Sequence, residues 1–144
     1  PSEEFMKAFS GKGCRFMGSV DKDELEKIQK EYDILVFAES LDKKHFNAAR
    51  LSFSTKITEY FKSGRCIFAL GSSEIGPMDY LIKEDAAVVV TDYKDIESKL
   101  RELCQSPEIV SQYSKKAFEC GKRNHDADKV LGNFKKAICD LVDD

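Results

Sequence analysis

The chain has little of what builds metal centres, disulfide frameworks and membrane spans. There are two histidines and five cysteines in 144 residues. Cys14, Cys66, Cys104, Cys120 and Cys139 are odd in number and widely spaced, with no pair at C-x-x-C separation. This excludes a cysteine-based zinc site and a small disulfide scaffold. It reads instead as reduced thiols of a cytosolic protein, most of them packing residues. No apolar run approaches the roughly 18 residues that cross a bilayer. The start, Pro1-Ser2-Glu3-Glu4, is polar and acidic, unlike a signal peptide. The net charge of -3 makes a nucleic-acid backbone a poor partner for the surface as a whole. No internal repeat, low-complexity tract or interdomain linker divides the chain, so residues 1–144 read as a single domain. That length is enough to bury a core.

What is present alternates between strands and helices. Arg15-Phe16-Met17, ended by Gly18, reads as a short strand. Asp21 reads as a helix N-cap, with Glu24 three positions on. Leu25, Ile28 and Tyr32 follow at helical spacing. Ile34-Leu35-Val36-Phe37-Ala38 is almost uniformly apolar, as suits a parallel sheet covered on both faces. A long polar connection with His45, Asn47 and Arg50 then leads to a helix over Thr55–Ser63, stopped by Gly64. Cys66–Leu70 is the next strand, followed by Gly71-Ser72-Ser73. Pro77 starts a short helix through Ile82, and Ala86–Val90 is a further buried strand. Asp92 caps a helix with Ile96, Leu100 and Leu103 on one face. Ser106-Pro107-Glu108 restarts a helix that ends near Gly121. Asp126 caps the last helix, whose inner face carries Val130, Phe134, Ile138 and Leu141. The predicted fold is α/β, a Rossmann-like parallel sheet with flanking helices and two C-terminal helices. Those two have no strand between them, so they cover an edge or a neighbouring domain.

The segment Ser54-Thr55-Lys56 at the start of the Thr55–Ser63 helix suits an anion. Helix starts expose unpaired N–H groups and carry partial positive charge. Two hydroxyls and a cation add to both. Glu59 lies one turn further along the same face. An acid just behind a phosphate site suits the hydroxyl pair of a ribose. Each residue also has a plainer reading. Ser54 and Thr55 serve equally as caps, Lys56 as a surface lysine beside Glu59, and Glu59 as a solvated helix glutamate. Phe53 reads as packing or as a wall beside the loop. Gly18 ends a strand or lets backbone approach a base. Arg50 faces phosphate or solvent. Gly71-Ser72-Ser73 shares the carboxyl edge of the sheet with Ser54–Lys56. His45 and His125 read as structural.

The order Phe16-Met17-Gly18-Ser19-Val20, then Asp33-Ile34-Leu35-Val36-Phe37, then Ser54-Thr55-Lys56-Ile57-Thr58-Glu59-Tyr60-Phe61-Lys62-Ser63-Gly64-Arg65-Cys66-Ile67 resembles the C-terminal half of GT-B glycosyltransferases. The likeness is to the family 4-like bacterial ones, and it runs from about Phe16 to the C-terminus. It implies a domain that binds a nucleotide-diphosphate sugar as substrate, with no further cofactor and no tightly held metal. Glu59 would hold the ribose, Ser54, Thr55 and Lys56 would face the diphosphate, and Gly18 and Ser19 would lie by the base. The implied activity is sugar transfer, retaining or inverting, in surface polysaccharide or glycan synthesis.

The chain also departs from that pattern. Leu51 stands where many members carry a second glutamate, and Cys66 stands where proline is usual. The family's N-terminal acceptor domain, and the first two strands of its C-terminal domain, find no match here. The expectation is therefore a domain truncated on its N-terminal side, part of a longer enzyme and inactive alone, with an associating oligomer also open. Two other readings compete. One is an interaction domain that kept the transferase fold and lost catalysis. The other is a receiver-like module, which needs strand-end acids for Mg²⁺; only Glu39 is so placed.

Overall fold

A computed structural model describes Glu4 and residues 13–40 and 53–142. Its centre is a three-stranded parallel sheet of β1 (Ile34–Ala38), β2 (Cys66–Leu70) and β3 (Val88–Val90), in that order. Ile34 stands opposite Cys66 and Ala38 opposite Leu70 in the first ladder; Phe68 stands opposite Val88 and Leu70 opposite Val90 in the second. The helices among the described residues are α1 (Lys22–Glu31), α2 (Thr55–Ser63), α3 (Gly76–Lys83), α4 (Ile96–Gln105), α5 (Pro107–Asn124) and α6 (Ala127–Val142). The α/β expectation of a parallel sheet with flanking helices holds.

The apolar run of β2 places it at the centre. Successive side chains alternate between faces, so Ile67 and Ala69 enter one core and Cys66 and Phe68 the other. The first core is closed by Ile57 and Phe61 of α2, Met78 and Leu81 of α3, and Ala117 and Cys120 of α5. The second is closed by Leu103 of α4, with Ile96, Leu100, Ile109 and Val110 packed around it. Ile57 and Phe61 are four residues apart, so one stripe of α2 is fully buried. Gly64 ends that helix at φ +66, and its N–H reaches the carbonyl of Phe61. A left-handed stop of this kind favours glycine. It turns the chain straight into β2.

Several sequence expectations are corrected. Arg15-Phe16-Met17 forms no strand; the segment is irregular and exposed. β1 is fully buried on one face only; on the other, Ile34 packs part-buried against the second core. Leu35 and Phe37 are buried, while Val36 is 56% exposed. Ala86 and Ala87 are buried but precede the strand, which starts at Val88. Asp92 caps a single 3-10 turn, Tyr93–Asp95, through the N–H of Lys94, and α4 follows from it. α5 continues past Gly121 to Asn124. Ser106 opens it with its backbone carbonyl, which accepts from Ile109 and Val110, rather than with its hydroxyl.

Of the two terminal helices, α5 covers the sheet. α6 does not. Asp126 caps it as expected, accepting from the N–H of Lys129 at 2.9 Å. Its apolar stripe, however, is exposed, with Phe134 at 62% and Leu141 at 79%. The face expected to be inward has no cover among the described residues. The thiols also differ from expectation, since only Cys66 and Cys120 are buried, while Cys14, Cys104 and Cys139 are exposed.

Candidate functional site

In a parallel sheet each helix between strands runs back from the carboxyl edge to the amino edge. α2 ends at Gly64, next to the start of β2, so it begins at the carboxyl edge. α1 ends at Glu31, next to the start of β1, so it begins at the same edge. Gly18 and Ser19 stand just ahead of α1, and Ser54, Thr55 and Lys56 open α2. The fold thus gathers both groups on one side of the sheet. Arg50, Leu51 and His45 lie outside the described residues.

At the start of α2, Ser54 is extended at φ -74 and ψ 127, and its carbonyl accepts from the N–H of Ile57 at 3.2 Å. Its hydroxyl does not cap the helix. The Thr58 hydroxyl donates to the Thr55 carbonyl. The first N–H groups of a helix have no intrahelical acceptor. Thr55 and Lys56 therefore present their backbone donors outward, with no acid in the first turn to neutralise them. Thr55 and Lys56 are exposed.

Glu59 lines a groove of about 300 Å³ between α1 and α2. Thr58, Lys62 and Ser63 share its α2 wall; Lys22, Leu25, Glu26, Gln29 and Lys30 form the α1 wall. Ser54, Thr55 and Lys56 are not among its lining residues. They stand at the end of the helix that forms the wall, a turn ahead of Glu59. Gly18 adopts φ +71 with open space around it, a left-handed turn position that favours glycine. The third segment at this edge, Gly71-Ser72-Ser73, is partly used by the fold. Gly71 is buried, and a Cβ there would stand 3.1 Å from both Glu39 and Met78. The Ser72 hydroxyl accepts from the N–H of Glu74.

A second cluster lies on the other side of α2's start, and the sequence reading did not assemble it. Phe53 is the residue before Ser54. Its ring stacks on His125 at 5.6 Å and 21°, and meets Tyr80 edge-on at 5.3 Å and 83°. Tyr80 Oη and His125 Nε2 are 2.8 Å apart. Asn124 Nδ2 donates to Tyr80 Oη at 3.0 Å. An amide nitrogen can only donate, so the tyrosine oxygen accepts there; which partner donates between Tyr80 Oη and His125 Nε2 is set by the imidazole tautomer. Cys120 Sγ lies 3.4 Å from the same oxygen. Glu84 anchors the far side, accepting from Arg123 and from the Cys120 thiol. Burial pushes the Tyr80 hydroxyl up to about 12. Burial also holds His125 below its ordinary value, against the opposing pull of Glu84. The His125 imidazole is thus neutral at neutral pH. His125 was open to detection as a polar residue at a helix end, but no local pattern links Phe53, Tyr80 and His125.

No protein-family model, no curated protein and no solved structure matches the chain. No helix among the described residues is long and apolar enough to cross a membrane.

Proposed function

We propose that the chain is the donor-binding domain of a glycosyltransferase that moves a sugar from a nucleotide-diphosphate sugar to an acceptor, in surface polysaccharide or glycan synthesis. One observation carries this reading. α2 opens at the carboxyl edge of a parallel sheet with Ser54, Thr55 and Lys56 exposed or half-exposed, outward backbone donors, and Glu59 one turn behind in a groove. Ligands of open parallel sheets bind beyond the carboxyl ends of the strands. The resemblance of the Ser54–Ile67 block to the GT-B pattern supports the same assignment.

In this reading the diphosphate sits on the first N–H groups of α2, with Lys56 as its cation. Glu59 accepts hydrogen bonds from the ribose hydroxyls. The reaction is driven by position and charge. The donor is held with its anomeric carbon facing the acceptor, and fixed dipoles offset the charge that grows on the leaving diphosphate. The acceptor is brought by the N-terminal domain of the longer enzyme. A cytoplasmic location accords with five free thiols and a nucleotide-sugar substrate. A second reading, an interaction domain of the same fold without catalysis, is favoured by the uncovered stripe of α6.

Calorimetry with UDP, GDP, dTDP and CMP and their sugars tests the assignment. One nucleotide diphosphate should bind. Glu59→Ala removes hydrogen bonds to a charged group, worth about 1.5–3 kcal/mol, or about ten- to hundredfold in Kd. Lys56→Ala should weaken diphosphates more than nucleosides. If no nucleotide binds the wild-type protein, the interaction reading stands in its place.

A further inference from the structure

Three features lie outside the donor reading: the exposed stripe of α6, the mixed lysine and glutamate lining of the α1–α2 groove, and the ring cluster around Phe53. Nothing in the structure says what covers the stripe, and the groove already belongs to Glu59. The ring cluster carries an inference.

The geometry points to His125 as a positioning residue for the start of α2. It rests on the donor reading, and it concerns the same Ser54–Lys56 turn. Phe53 precedes that turn directly, so wherever its ring is held, the first N–H groups of α2 are held as well. The ring is clamped by His125 on its face and by Tyr80 at its edge. His125 is itself fixed at both ends. Its backbone N–H donates to the Gly121 carbonyl at 2.8 Å, and its Nε2 is hydrogen-bonded with Tyr80 Oη at 2.8 Å. Asn124 holds Tyr80 in turn. The end of α5 and the middle of α3 therefore act together on one ring. Apart from Phe53 itself, no member of the clamp belongs to α2's start. His125 acts through Phe53 and touches no ligand.

The clamp has a purpose that packing alone would not require. Backbone donors serve a phosphate only if their directions are set before it arrives, and helix ends otherwise fray. An aromatic pair contributes about 0.5–1.5 kcal/mol beyond burial. Losing it should cost about two- to tenfold in diphosphate affinity.

The test uses His125→Ala, His125→Phe and Phe53→Ala in the full chain. Two measurements are made: amide hydrogen exchange without ligand, and calorimetric binding of UDP and GDP. His125→Ala should speed exchange at Thr55, Lys56 and Ile57 and leave β2 unchanged. It should weaken the nucleotide that binds by about two- to tenfold. His125→Phe keeps the stack and should restore both. Phe53→Ala combined with His125→Ala should lose less than the sum of the two single variants, since they share the Phe53–His125 stack, while Phe53 also meets Tyr80 and His125 also meets Tyr80 and Phe61. Unchanged exchange at α2's first turn in His125→Ala, additive losses in the double variant, or no rescue by phenylalanine overturns the inference. Faster exchange in a protein that binds no nucleotide sinks the donor reading and leaves the clamp standing.

Discussion

Gly121→Ala is the sharpest probe of how α2 is placed. A Cβ at Gly121 would stand 2.7 Å from Phe61 Cβ and 3.4 Å from Phe61 Cγ. The closer atom is fixed to the backbone of α2, so a rotamer change of the phenylalanine does not relieve the contact. The helices must separate. Overpacking of this kind costs about 3 kcal/mol at the upper end of its usual range. Alanine in a helix interior returns about 1 kcal/mol relative to glycine. The net loss is about 2 kcal/mol, taking both together. With a urea slope of about 2 kcal/mol/M, the midpoint should fall by about 1 M. Thermal unfolding should drop by about 8 °C at this chain length. Far-UV circular dichroism reads both. Gly132→Ala is the control. Gly132 sits on α6 with nothing near its position, so there the same change should raise helicity with no loss of midpoint. If Gly121→Ala is as stable as the wild type, α5 does not lie against α2 as described, and the placement of Ser54–Lys56 relative to His125 fails with it.

Two further outcomes follow from burial. Cys14, Cys104 and Cys139 should react with a thiol reagent in the native protein, and Cys66 and Cys120 only after denaturation. The Cys66 thiol is pushed up to about 11 by burial, so it is a poor nucleophile even where reagent reaches it; four or more fast thiols under native conditions would refute this core. The His125 ring, held below its ordinary value by burial, makes stability depend on pH. The unfolded chain takes up that proton at about pH 6.5, before the folded protein does. Stability from this group is complete above about pH 6.5, declines as pH falls through it, and levels off below the folded value. Urea midpoints at about pH 7.5 and about pH 5.5 should differ less in His125→Phe than in the wild type; an equal or larger difference counts against the neutral, half-buried imidazole.

Much of the backbone was readable from neighbouring residues alone. The N-cap at Asp21, the stop at Gly64, the proline-led starts at Pro77 and Pro107 and the cap at Asp126 each depend on a few consecutive positions. The uniform apolarity of Cys66–Leu70 determined a central strand, because every face of it must be buried. The donors at Thr55 and Lys56 were legible for the same reason: a helix start exposes them whatever surrounds it.

Tertiary structure decided which apolar faces find a partner. Ile34–Ala38 reads as apolar as β2, yet Val36 faces outward; a strand's composition does not say how many layers cover it. Arg15–Met17 had the residues of a strand and forms none. The stripe of α6 is amphipathic by period, but a period defines a face and not what lies against it. The clamp on Phe53 joins segments distant along the chain, Tyr80 and His125 being 45 residues apart. Local rules reach about one helical turn, so only the folding of α3 and α5 onto α2 could bring those rings together.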